Sequence, residues 1–204
     1  MAMHRHRAAY VALVLDGGYE ECGPDGRFSC GVGGVIVHPP WHRHADEFGS
    51  GGAVVLNLPV ATADGLTCAE VADVTAIESL ARRSPRLAAR AAIEEAEPRP
   101  PLTPSAWLED LTRMLATDEF TPIGELASRC GVSAEHASRA CRRWFGVGPA
   151  ELRRESRLRQ AIGLLEAGAS PSEAAIDSGF SDQPHLTRLL KRATGHTPGS
   201  LPRD

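Results

Sequence analysis

The sequence predicts a chain in two parts: a small β-barrel, then an all-α region that carries two helix-turn-helix units. Three observations support this. Residues 1–66 hold short apolar, β-branched runs punctuated by Gly and Pro. From about Asp73 the apolar spacing changes to the helical period. The segment 121–204 contains one unit twice.

In the first part, runs 10–15, 34–38 and 53–58 read as strands. Gly17-Gly18, Gly23 to Gly26, Gly31 to Gly34, Pro39-Pro40 and Gly49 to Gly52 read as turns. Many short strands with such turns suggest a barrel or a sandwich. Next, Ala76, Ile77, Leu80 and Ala81 share one helical face, and Ser84-Pro85 supplies a cap and a first-turn proline for a second helix to about Ala96. The stripe of Ala76, Ile77 and Leu80 needs a partner surface that a small front domain covers incompletely, which suggests a dimer contact or a relay. Residues 97–104, with four prolines, read as a linker. The expected division is therefore 1–70, a connector and linker over 71–104, and a helical domain over 105–204. Helices are expected over 105–116, 123–130, 134–145, 149–167, 171–178 and 182–194.

The repeat lies in this last part. Leu126-Ala127 precedes Gly131-Val132-Ser133, and at the same spacing Ala174-Ala175 precedes Gly179-Phe180-Ser181. A helix, a glycine turn, a capping serine and a second helix make a helix-turn-helix, here over 123–145 and 171–194. One such match is weak; two joined by a helix-length spacer point to DNA binding. The spacing from glycine to arginine is eight in the first copy (Gly131 to Arg139) and nine in the second (Gly179 to Arg188), so the second turn carries an extra residue.

Composition agrees. Residues 121–204 hold 12 Arg and Lys against 9 Asp and Glu, while residues 1–120 hold 10 against 17. A mildly basic end on an acidic chain fits a nucleic-acid reader on a carrier. The five cysteines form no CxxC pair and are odd in number, which argues against a disulfide framework or zinc knuckle; Cys130 and Cys141 read as core fillers. No apolar run approaches the length of a membrane-spanning helix, and a cytoplasmic protein with no membrane partner is expected.

In the first recognition helix, Ala137, Ala140, Cys141 and Trp144 form the buried stripe, and Glu135, Ser138, Arg139 and Arg142 the opposite face. In the second, Leu186, Leu189, Leu190 and Ala193 are buried, while Pro184, Thr187, Arg188 and Lys191 are exposed and Gln183 and His185 sit in the first turn. Early side chains of such a helix reach base edges, where Arg suits guanine and Gln adenine. Arg142, Arg143, Lys191 and Arg192 suit phosphates. The spacer helix from Pro149, about 18 residues and ~27 Å long, is close to the ~34 Å of one DNA turn.

On these residues, 106–203 resemble the DNA-binding domain of the AraC/XylS family of transcription regulators. The stretch Gly179 to Arg188, followed by Gly195-His196-Thr197-Pro198-Gly199, carries most of the likeness. The resemblance implies seven helices and base contacts from Glu135, Ser138, Arg139, Gln183, His185 and Arg188. Pro184 departs from the pattern at a contacting position. Leu201-Pro202 replaces an aromatic residue that packs the last helix, so a short or absent helix is expected there.

Five of the eight histidines, His4, His6, His38, His42 and His44, lie near the start of the chain. His4-x-His6, Gly17, Gly33, Pro39 and His44 follow the spacing of the two cupin motifs, and this segment resembles the cupin-type sensor domain that many AraC-like regulators carry. The motif begins almost at Met1, which implies a reduced barrel or an internal start. In a metal-binding cupin, His4, His6 and His44 are the ligands for a divalent ion. Here Tyr10 stands where the fourth ligand, a glutamate, is expected, Trp41 replaces a glycine and Phe48 an asparagine. Without that carboxylate the front domain is expected to be a sensor with no resident cofactor, and His38 and His42 polar rim residues.

The function that follows is a sequence-specific, DNA-binding transcription regulator and not an enzyme. Its expected partner is double-stranded DNA; a small-molecule effector, RNA polymerase and a second copy of the chain are further partners the reading allows. The alternatives are a cupin metal-dependent enzyme carrying a DNA-binding domain, and a binding module whose front domain only dimerises.

Overall fold

The computed structural model describes residues 2–63, 65–118 and 120–201. The chain forms two compact units, one over residues 1–103 with 144–146 and one over the rest.

The first unit is an antiparallel sheet with two helices. Its strands are β1 (His4–Arg5), β2 (Tyr10–Gly23), β3 (Gly26–Gly31), β4 (Gly34–His38), β5 (Arg43–Pro59), β6 (Thr67–Glu70) and β7 (Glu97–Pro98), and its helices α1 (Val74–Ala81) and α2 (Pro85–Glu94). The sheet runs β1-β5-β2-β4-β6-β7, with β3 paired to β2. Among the described residues no pair joins β7 back to β1. Part of the proline-rich segment expected as linker is therefore an edge strand, where Pro98 lies opposite Ala69 and its missing N–H costs no ladder bond.

Two strands are far longer than their apolar runs. The glycines expected to turn the chain instead let it continue: β2 passes through register shifts between Val14 and Asp16 and between Gly17 and Tyr19. Gly17 takes φ 69 there, and a Cβ on it would run into the Gly52 carbonyl of β5.

Alternation along the strands builds two cores. Val11, Leu13, Val35, Val37 and Leu58 face one way and pack with Ile77, Ala88, Ala89 and Ala92 of α1 and α2. Val14, Tyr19, Phe28, Cys30 and Ile36 form a second cluster. The helical stripe expected to need an outside partner is thus covered within the chain: Ile77 is buried and Leu80 packs against the same core, while Ala76 is exposed.

The second unit is helical: α3 (Ala106–Thr117), α4 (Ile123–Arg129), α5 (Ala134–Phe145), α6 (Pro149–Glu166), α7 (Pro171–Asp177) and α8 (Gln183–Thr194). Among the described residues a single 3-10 turn, Pro198–Ser200, bounded by Thr197–Ser200 hydrogen bonds, stands in place of a seventh α-helix. Leu201 is buried behind it, so an aliphatic side chain closes this end in place of the aromatic one. The core is drawn from Leu108, Leu111 and Leu115 of α3, Leu126 and Ala127 of α4, Leu158, Ala161 and Leu165 of α6, and Leu186 and Leu190 of α8.

Candidate nucleic-acid interface and histidine cluster

The two turns of the helical unit share one hydrogen-bond pattern, position for position. In the first, Cys130 N donates to Leu126 O, Gly131 N to Ser128 O, and Val132 N to Ala127 O at 3.1 Å. In the second, Ser178 N donates to Ala174 O, Gly179 N to Ile176 O, and Phe180 N to Ala175 O at 2.9 Å. Gly131 and Gly179 take φ 74 and 70, the left-handed conformation that closes a helix at low cost.

After the glycine the copies diverge by the extra residue. Ser133 Oγ accepts from His136 N at 3.2 Å and starts α5. Its counterpart by offset, Ser181, does not cap; the N-cap of α8 is Asp182, whose Oδ1 accepts from His185 N at 2.6 Å. Ser181 Oγ instead contacts the His185 ring at 3.1 Å, and Phe180 meets that ring edge-on. The expectation of a capping serine in both copies is corrected accordingly: the insertion moves the cap one residue on and leaves Ser181 to orient a candidate base-contacting side chain.

Both second helices bury one face. In α5, Ala137, Cys141 and Phe145 are buried and Ala140 and Trp144 half-buried; in α8, Leu186, Leu190 and Thr194 are buried and Leu189 and Ala193 half-buried. On the other side Glu135, Arg139, Arg142 and Arg143 are exposed and Ser138 is half-buried, its hydroxyl held by Arg142 at 2.6 Å. Glu135 keeps its carboxyl below the usual range through its own backbone N–H and Ser133. On α8, Gln183, His185, Arg188 and Lys191 are exposed and Thr187 half-buried; Ser172 of α7 donates to Gln183 at 3.0 Å.

The 18-residue helix α6 is tied to both motifs. Arg153 donates to the carbonyl of Thr121, just ahead of α4, at 2.8 Å. Gln160 donates to the carbonyl of Asp177, at the end of α7, at 2.7 Å. With Leu152, Leu158, Ala161, Ile162 and Leu165 buried along its length, α6 is a rod that fixes the spacing of the two turns.

The sheet unit holds a second concentration of polar side chains. Cross-strand register sets Tyr10 opposite His38, Glu21 opposite Asp46 and His4 opposite His44. Glu21, His38, His42 and His44 are all buried, and one ligand-type atom from each lies within 4.8 Å of the others. His38 and His42 are therefore not rim residues, as the sequence suggested; alternation turns His38 inward with Ile36, and the chain reversal at Trp41 turns His42 inward after it. Trp41 keeps the left-handed backbone (φ 62) of the glycine it replaces, pinned by its N–H to His6 O at 2.8 Å and by Arg5 on its carbonyl at 2.7 Å.

Within the cluster, His38 Nδ1 lies 3.1 Å from His42 Nδ1, and His38 Nε2 3.5 Å from Glu21 Oε2. His42 Nδ1 lies 4.0 Å from Glu21 Oε1, and its Nε2 3.0 Å from Asp25. The Tyr10 hydroxyl is 3.3 Å from His44 Nε2, and its ring stacks on His38. Burial, reinforced by the facing Asp46, pushes the Glu21 carboxyl up to about 9. Burial, reinforced by neighbouring imidazoles, holds His38 at about 2 and His44 at about 3. At neutral pH the contact between Glu21 and His38 thus joins a protonated acid to a neutral ring. The trio His4, His6 and His44 is also within ligand distance of itself, nearer the surface, and Tyr10 supplies no carboxylate there.

Against known proteins, the helix-turn-helix domain family matches residues 126–203. The chain is 40% identical over 79 residues to the HTH-type transcriptional regulator GlxA of Rhizobium meliloti (strain 1021), covering 38% of this chain and 24% of that one. It is 38% identical over 68 residues to the uncharacterized HTH-type transcriptional regulator YbfI of Bacillus subtilis (strain 168), covering 33% and 25%. The chain thus spans about a quarter of the length of these curated relatives. Among solved structures, an AraC-type transcriptional regulator from Chromobacterium violaceum superposes with a TM-score of 0.43 at 24% identity, over 46% of this chain and 86% of that one.

Proposed function

We propose that this chain, whose C-terminal unit is an AraC-type helix-turn-helix DNA-binding domain, is a sequence-specific transcription regulator that reads two successive major grooves. The observation that carries this reading is the duplicated turn: two helices with buried inner faces present Arg139 and Arg188 outward, and one rod, hydrogen-bonded to both motifs, sets their separation. In this reading Glu135, Ser138 and Arg139 contact bases from α5, and Gln183, His185, Thr187 and Arg188 from α8. Arg142, Arg143 and Lys191 meet phosphates.

The sheet unit acts as the sensor. A depression of about 330 Å³ bordered by His6, Tyr10, Asn57 and Pro59 is of a size that admits a small organic effector. A second copy of the chain would use the outer side of α2, where Leu87 and Ile93 are exposed. Among the described residues no helix is long and apolar enough to cross a membrane. The regulator would act in the cytoplasm, beside RNA polymerase on the same DNA.

The test is selection of bound sequences from random duplex DNA with the full chain. The reading requires an asymmetric site with two blocks of base preference about 10–10.5 bp apart. A single block, or none, would refute the two-groove arrangement.

A further inference from the structure

We propose that Glu21, His38, His42 and His44 hold a divalent transition-metal ion in the N-terminal sheet unit, a set that shares only His44 with the His4, His6 and His44 set that the cupin resemblance implies. Three imidazoles with one carboxylate is a donor set that suits zinc, cobalt and nickel. All four side chains are buried and lie within ligand distance of one another. Bonds of 2.0–2.1 Å in a tetrahedron place ligand atoms about 3.4 Å apart; one ligand-type atom from each of the four residues lies within 4.8 Å of the others, and the Nδ1 atoms of His38 and His42 are 3.1 Å apart.

The outer contacts point the same way. A ligating histidine is oriented by a partner on its other nitrogen, often a carboxylate. His42 has the Asp25 carboxylate beside Nε2 at 3.0 Å, an ion-pair contact without hydrogen-bond geometry, and His44 has the Tyr10 hydroxyl beside Nε2 at 3.3 Å. Both rings then offer Nδ1 to the ion. Tyr10 thereby gains a positioning role at the place where the resemblance expects a ligand, and the carboxylate it lacks comes from Glu21 on the same strand.

Polar satisfaction also favours an ion. Glu21 Oε1, His38 Nε2 and His44 Nδ1 are buried and accept or donate no hydrogen bond among the described residues. Leaving such groups unmatched in the interior is costly. Two facing imidazole Nδ1 atoms also satisfy one another only if one of them carries the proton. A cation takes one nitrogen from each ring together with the Glu21 carboxylate, and so relieves these groups at once.

The experiment uses the full chain, purified without an affinity tag and stripped with chelator, in the absence of DNA, so its outcome is separate from that of the DNA-reading proposal. Cobalt(II) is the probe. One equivalent should bind with the strong visible absorption of a four-coordinate site and be displaced by zinc. Glu21→Gln and His42→Ala should each weaken binding at least tenfold, whereas the double variant His4→Ala/His6→Ala should bind as wild type. Glu21→Gln is nearly isosteric and decides the matter if His42→Ala fails to fold. Failure of the wild-type chain to bind one equivalent would overturn the proposal, as would binding that survives Glu21→Gln but is lost with His4 and His6.

Discussion

Replacing Asp182 by alanine should destabilise the helical unit, while replacing its neighbour Ser181 should not. The Asp182 carboxylate accepts from His185 N at 2.6 Å and places a negative charge at the positive end of α8. Loss of such a cap costs about 1 kcal/mol, and loss of the favourable charge a further ~0.5 kcal/mol. For a unit of about 100 residues, about 1.5 kcal/mol lowers the midpoint of thermal unfolding by roughly 6–12 °C. Ser181 contacts only an exposed ring, so Ser181→Ala should cost about 0.5 kcal/mol or less. In the first copy the roles are different: Ser133 is the cap, and Ser133→Ala should cost about 1 kcal/mol. Far-UV circular dichroism gives the midpoints, and amide exchange at His185 reads the local effect, expected to be about tenfold faster in Asp182→Ala. Equal losses from Ser181→Ala and Asp182→Ala, or unchanged exchange at His185, would refute the shifted cap.

Other expectations follow from the same geometry. Arg139→Ala and Arg188→Ala should each cost about 1–3 kcal/mol of DNA affinity and relax base preference at positions one turn apart; a wild-type footprint in both would exclude two-groove reading. Arg143→Ala should weaken all sequences alike and flatten the salt dependence, by a slope of about one in log–log form. Gly17→Ala should cost about 2–4 kcal/mol, because φ 69 and the Gly52 carbonyl both exclude a side chain; unchanged urea unfolding would remove the bulge argument. At tens of micromolar the full chain should sediment as a dimer that the double variant Leu87→Asp/Ile93→Asp dissociates, and a monomeric wild type would leave α2 with no partner.

The helical half was legible because its signals are local. Gly131 and Gly179 each end a helix through bonds to carbonyls within the preceding turn and a half, with no distant partner involved. The one local misreading, Ser181 as cap, came from carrying the first copy's offset past the inserted residue; Asp182 is the better acceptor for a helix start, and the chain uses it. The sheet was legible only in its apolar runs. Gly17-Gly18 and Gly49 to Gly52 look like turns because glycine usually breaks a strand, yet here facing glycines let β2 and β5 pair along most of their length.

The histidine cluster shows where sequence spacing stops being informative. Alternation alone places Tyr19 with Glu21, Ile36 with His38, and His44 with Asp46 on common faces, a signal present in the chain and sufficient to take His38 off the rim. What no spacing contains is register: Tyr10 meets His38 in an unbroken ladder, whereas Glu21 meets Asp46 only after two bulges that shift every partner beyond them. Without the shift between Val14 and Asp16, just ahead of Gly17, Glu21 would fall on the other face of β2, away from His38. The same glycines that hid the strand therefore bring its carboxylate to the imidazoles, and Gly17→Ala should disturb that cluster from a position remote in sequence from every histidine in it.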